Sequence, residues 1–249
     1  MSGKVLKRKI RMIFLIWLVL TFAGPLWLLF SGQVDMEADY RTASRETARI
    51  APLPQDEKAA VIQVYAARAF NWRGMFASHS WIATKEKNAD AFTVYQVVGW
   101  RNYRGLPALS IEQDIPDRNW YNEVPKLLLD IRGERAEALI GKIAQAADAY
   151  PYAGPYHLWP GPNSNTFPAY IAREVPELGL VMPGDAVGKD FLTGNSIFAK
   201  APSGTGYQLS LYGAFGLLIA KKEGIEINLL GMTYGLRFSP FQIVLPGLG

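Results

Sequence analysis

Apolar and polar residues are spread very unevenly along this chain. Residues 12–30, MIFLIWLVLTFAGPLWLLF, run without a charge. At about 1.5 Å of rise per residue, a helix of that length nearly crosses the roughly 30 Å hydrocarbon core of a bilayer. Trp17 and Trp27 are of a type common near membrane interfaces, and Gly24-Pro25 predicts a kink. Lys4, Lys7, Arg8, Lys9 and Arg11 precede the run, and Asp35, Glu37 and Asp39 follow it. By the positive-inside rule this keeps the N-terminus in the cytoplasm and exports the rest. A cleavable signal peptide is the alternative. Its apolar region ordinarily covers about 7–15 residues, however, and no clean small-residue cleavage site follows here.

Beyond the anchor the pattern changes. Residues 31–56 are polar and end near APLPQDE, which reads as a linker. The stretches 59–68, 76–85 and 91–101 are rich in Val, Ile, Tyr, Phe and Trp and are separated by turn residues. They predict three strands, the alanine-rich first of which is also compatible with a helix. LPALSIEQDIPDRNWYNEVP reads as a long connection. Over 133–150, Ala136, Leu139, Ile140, Ile143, Ala144 and Ala147 recur at helical spacing until Pro151 stops them. YHLW suggests a short strand. A stiff loop, PGPNSN, then leads into a helix over about 165–174, where Pro168 is acceptable only in the first turn. Residues 175–205 read as loops. From 207 onward the apolar runs predict strands or hairpins, with Lys221 to Gly224 as a turn. A second membrane span over 207–220 is disfavoured, because fourteen residues are too few and glycines interrupt them.

The pattern divides the chain into a basic cytoplasmic end (1–11), a transmembrane anchor (12–30), a linker (31–56) and an extracytoplasmic α+β domain (57–249). Composition agrees: 49% of residues are hydrophobic and 19% charged, which fits a folded protein with a membrane segment. The net charge of +4 reports the N-terminus, since outside it 21 of the 26 basic residues face 22 acidic ones. No basic groove with interleaved aromatics marks the body, so a nucleic-acid partner is not expected. There is no cysteine and there are only two histidines, His79 and His157. Cysteine chemistry is impossible, and no metal motif, P-loop or dinucleotide fingerprint is present. No cofactor or metal is expected.

The candidate chemistry centres on Ser164. A serine hydroxyl needs a neighbouring base, usually histidine. A helix N-terminus beside it would supply partial positive charge and free N–H groups for an oxyanion. His79, in the strand stretch ASHSW, is the better base candidate; His157 is close in sequence but separated by an extended loop. Asn163 and Asn165 are candidate oxyanion or substrate contacts. The alternative stays open that Ser164 or Asn163 caps the helix while His79 packs beside Trp81. Ser203 in PSGTG is a further serine of turn type. The tryptophans at 72, 81, 100, 120 and 159 are core residues or the lining of an acyl-binding groove.

PGPNSNTF, together with HSWIAT, VVGW, AEALI, GKD, APSGTGYQLSLYG and EGIEINLLGMTYG, resembles a bacterial family, the domain-of-unknown-function family numbered 3750, over roughly residues 60–249. More remotely, NSNTF is similar to the Asn-Cys-x-x-Phe at a helix start in circularly permuted papain-like proteins of the NlpC, PPPDE and lecithin retinol acyltransferase kind. In those proteins a histidine lies on an earlier strand, as His79 does here. The departure is serine in place of cysteine, so a thiolate–imidazole pair cannot be carried over. The resemblance implies a permuted papain-like α+β domain with an antiparallel sheet. Ser164 would be its nucleophile and His79 its base, with Gln96 or Tyr95 orienting the imidazole. The implied activity is a hydrolase or acyltransferase acting on an ester or amide of membrane lipid, lipoprotein or peptidoglycan, at the bacterial cytoplasmic (inner) membrane. The alternative is a non-catalytic envelope binding or scaffold protein that kept the fold and lost the cysteine. The residues name no protein partner.

Overall fold

The computed structural model describes residues 3–248. Helix α1 runs Gly3–Phe30 and is the one helix among the described residues long and apolar enough to cross a membrane. Its lower half does not stand free. Thr21, Gly24, Pro25 and Leu28 are buried against the domain. The Tyr234 hydroxyl lies 2.5 Å from Thr21 Oγ1, and Phe22 meets Phe76 edge-on.

The expected strands form, and two more join them, one inside the expected long connection 106–125 and one in the unassigned stretch after it. A five-stranded antiparallel sheet has the order β4-β3-β2-β1-β5, where β1 is Val61–Arg68, β2 Ser78–Lys85, β3 Thr93–Val97, β4 Leu109–Gln113 and β5 Lys126–Arg132. Strand β5 pairs with β1 through a bulge at Val64/Tyr65. Its three consecutive leucines lack alternation, so nothing in KLLLDIR signalled a strand with one covered face. Residues 98–101, expected as strand, turn into a 3-10 segment over Gly99–Arg104.

Both faces of this sheet are covered, and its pleat sorts the side chains. Ile62, Val64, Ile82, Tyr95 and Val97 point to one face, where helices α2 (Glu134–Asp148) and α3 (Thr166–Glu174) pack with Leu139, Ile143, Phe167 and Ile171. Val61, Tyr65, Trp81, Ala83, Phe92 and Val94 point to the other, under Ile50 and Trp120. That lid includes the supposed linker, which is sewn down rather than free. The Asp117 carboxylate accepts from Thr47 Oγ1 at 2.8 Å and from the backbone N–H groups of Ile50 and Ala51 at 2.5 and 3.0 Å.

After α3 the chain passes through loops to a second antiparallel sheet, order β11-β10-β9-β8-β7-β6. Its strands are β6 (Phe198–Lys200), β7 (Gly206–Leu211), β8 (Phe215–Ala220), β9 (Gly224–Leu229), β10 (Met232–Phe238) and β11 (Phe241–Val244). Residues 207–220 therefore form a hairpin and not a membrane span. YHLW is loop, not strand.

Candidate functional site

The stiff loop before α3 is built around two asparagines. Asn163 Oδ1 accepts from the backbone N–H groups of Asn165 and Thr166, at 2.9 and 3.3 Å, so its carbonyl closes the first turn of α3. Its Nδ2 donates to the carbonyls of Leu158 and Val187, both at 3.0 Å. Gly188, at φ +98°, packs directly on the Asn163 amide, where a Cβ would overlap it. Asn165 Nδ2 donates to the carbonyls of Ser78 and Val187 at 2.8 and 2.9 Å, and its Oδ1 accepts from Ser80 Oγ at 2.8 Å. Both N–H bonds of each side-chain amide are thus spent on backbone carbonyls. Asn165 ties the loop to β2 and Asn163 ties it to Leu158 and Val187, and neither has a donor left for an oxyanion. Pro168 sits in the first turn of α3, where a missing N–H costs nothing.

Ser164, between them, is buried. Its hydroxyl lies by the Tyr156 phenol, whose pKa burial raises and the Ser164 contact partly lowers. The Tyr156 ring in turn rests on Gly99.

His79 belongs to the other face. Its neighbours Ser78 and Ser80 point toward the α3 loop, with Ser78 Oγ donating to the buried Asp185 carboxylate at 3.0 Å and Ser80 to Asn165. The pleat turns His79 the opposite way, onto Trp120, with ring centroids 3.6 Å apart and planes 6° from parallel. Nε2 of His79 donates to Gln96 Oε1 at 3.3 Å. With the ring 5% exposed, desolvation lowers its pKa from 6.5 to about 3, and the Gln96 contact only partly opposes this. The imidazole is therefore neutral at physiological pH and a weak base.

The structure brings His79 to Gln96 and joins Asn163 to Asn165. It does not bring Ser164 to His79: no hydrogen bond links them among the described residues. Trp120, the ring stacked on His79, and Gln96 instead line an aromatic cleft of about 230 Å³. Trp100 stacks on Trp120 at 5.4 Å, and Tyr121 stands edge-on to both. The Arg45 guanidinium lies 4.6 Å over the Tyr121 ring and donates to its hydroxyl at 2.9 Å. Gln96, Asp114 and Arg118 supply the polar wall, where Arg118 and Asp114 form an ion pair. Tyr121 and Asn122 take left-handed backbone (φ 53° and 77°) in the tight turn that sets Trp120 against His79.

Sequence reasoning noticed the tryptophans but not that two of them, Trp81 and Trp120, meet one histidine while Trp100 stacks on the second. Arg45 and Arg118 were missed, the first because it lay in a presumed linker. Trp120 sits in a segment without periodicity, so only its residue type could have marked it. Among the described residues, no group of three or more His, Asp or Glu side chains is placed to hold a metal. Ser203 is a turn residue, its Oγ donating to Glu223 at 2.5 Å, and His157 is exposed.

No curated protein matches the chain, and no solved structure does. The family model described as Protein of unknown function (DUF3750) matches residues 59–191. That span holds the five-stranded sheet, both of its helices and the asparagine loop, and it ends before β6. It covers more than half of the chain, which belongs to this family.

Proposed function

We propose that this DUF3750 protein is a non-catalytic binding module of the cell envelope, held at the membrane by α1, and that it takes a glycan ring in the Trp120–Trp100 cleft in front of His79. One observation carries the reading: His79 is spent on stacking against Trp120 and on Gln96, and it is the neighbouring Ser80 that points to the α3 loop. Partly exposed indole faces beside an amide, a carboxylate and two guanidinium groups suit a saccharide, whose C–H face stacks and whose hydroxyls both donate and accept. Peptidoglycan strands are the envelope polymer of that chemistry. Calorimetric titration of the full chain in detergent with soluble peptidoglycan glycan fragments tests this. Saturable binding that Trp100→Ala abolishes and Ser164→Ala leaves intact is expected; absence of binding by the wild type sinks it.

A second reading has one observation in its favour. The Gln96 contact to His79 is the orienting contact that a permuted papain-like hydrolase or acyltransferase would need. On that reading Ser164 attacks the carbonyl of an ester or amide, and backbone N–H groups before α3 would stabilise the oxyanion. A neutral imidazole of low basicity and two fully committed amides weigh against it. Labelling by a fluorophosphonate probe, lost in both Ser164→Ala and His79→Ala, would favour it over the binding reading.

A further inference from the structure

The six-stranded sheet is built inside out. Along β7 and β9 the polar residues Gln208, Ser210, Glu226 and Asn228 face the interior, at 1–4% exposure, while Leu209, Ile225 and Ile227 face outward at 41–51%. Beside Leu218 and Ala220 of β8, that interior holds Lys189 and Arg237. They meet Glu226 at 2.7 and 3.1 Å. The strand registers gather the outward residues into continuous rows. One runs Phe198, Leu209, Leu217, Ile227 and Tyr234 across β6 to β10. An adjacent row runs through Ile219 and Ile225 to Leu236 and Ile243. An apolar face of this extent is not what a water-facing sheet presents.

The occupant is indicated by where the first row ends. The hydroxyl of Tyr234 meets Thr21 Oγ1, which also donates to the Trp17 carbonyl at 2.7 Å. Thr21 lies inside the charge-free run of α1, about 13 Å from the Phe30 end at 1.5 Å per residue. The apolar face and the membrane-type helix thus adjoin at a depth that hydrocarbon would occupy. The two hydroxyls satisfy each other there, as polar groups out of water must. The edge strands β6 and β11 are only three and four residues long, which limits the unpaired backbone offered to lipid.

We propose that the outer face of the six-stranded sheet rests against the acyl chains of the bilayer that α1 enters, so the domain is seated in the membrane surface rather than suspended above it. This is independent of what the aromatic cleft binds.

The chain has no cysteine, which makes the test direct. Leu217→Cys and Ile227→Cys place a single environment-sensitive fluorophore on the outer face, and Tyr103→Cys places one on the five-stranded body at 92% exposure. The full-length chains are reconstituted in vesicles of phosphatidylethanolamine and phosphatidylglycerol. They are then quenched with acyl-chain nitroxides or with aqueous iodide. Both outer-face labels should emit to the blue of the Tyr103 label and be quenched several-fold more strongly by nitroxide, while iodide quenches only the Tyr103 label. Equal iodide quenching at all three positions overturns the proposal. So does shielding from both quenchers together with disulfide crosslinking between Leu217→Cys chains, which would mean that a second copy covers the face.

Discussion

In the five-stranded sheet, β1 buries Val61, Ile62 and Val64 completely between two apolar layers; in the six-stranded sheet, β9 buries Glu226 and Asn228 and leaves Ile225 and Ile227 outside. Both sheets are antiparallel, and both obey the two-residue period of a strand. What differs is the solvent each face was built for. Strand β1 reads as a nearly unbroken apolar run because both of its faces are covered. Strand β9 alternates cleanly, and the alternation alone gives no sign of which set is inside. An alternating pattern therefore fixes a strand but not its orientation, and here the usual assumption of apolar-in would be wrong for β7 and β9.

Removing the keystone of the polar interior should be the most damaging change. Glu226→Ala leaves Lys189 and Arg237 buried without their shared carboxylate, and we expect a loss of about 3–5 kcal/mol in denaturant unfolding of the detergent-solubilised protein. A loss below about 1 kcal/mol would mean that water reaches this interior.

Apolar truncation should separate the two sheets next. Ile143→Ala, in the α2 layer over the five-stranded sheet, should cost about 2–5 kcal/mol. Ile227→Ala, on the outer face of the other sheet, should fall within about 0.5 kcal/mol in aqueous detergent. Equal costs would erase the contrast.

The histidine between the tryptophans gives a pH signature. Its pKa is about 3 in the fold and 6.5 when exposed, so between those values only the unfolded chain takes up the proton. Its contribution is complete above about pH 6.5 and drains away as pH falls toward 3, by up to about 1.4 kcal/mol per pH unit. His79→Phe keeps a ring against Trp120 and removes the titration. Unfolding midpoints measured from neutral to acid pH should therefore decline more steeply in the wild type than in the variant. Parallel declines would refute a neutral buried imidazole.

The smallest effect should come from Ser164→Ala. Its neighbours Asn163 and Asn165 hold the loop, so thermal unfolding should shift by no more than about 0.5 kcal/mol equivalent. A substantial shift would make the Tyr156 contact structural.

Much of this was legible from residues alone. The α2 stripe of Leu139, Ile140 and Ile143 announced its helix, and Asn-Ser-Asn before Pro168 announced the start of α3. The apolar run of α1 was equally plain. Strands β4 and β5 were not, because KLLLDIR has no period and its pairing with β1 is a long-range event. At the candidate site, residue types drew Ser164 and His79 into one frame, while the pleat of β2 turns His79 onto Trp120 and points Ser80 at Asn165 of the α3 loop. A one-residue offset along a strand reverses direction, and no spacing argument between distant segments registers that. Of the two candidates on the neighbouring strand, Tyr95 and Gln96, it is Gln96 that meets His79, because its side chain points to the same face. The tryptophans that complete the stack come from a turn and a 3-10 segment with no pattern of their own.

The bonds from Asp117 to Thr47, Ile50 and Ala51 bear on how such a molecule would search. A loose chain of the same length as the segment after α1 would let the cleft wander through heights of roughly 25–30 Å. Pinned at Asp117 below and by Thr21 and Tyr234 beside it, the cleft has almost no leash. With α1 in a bilayer, it would drift sideways at one altitude, and a ligand would be met only if it offered its binding group at that level. The protein would then work as a gauge of distance from the membrane as much as a detector of chemistry.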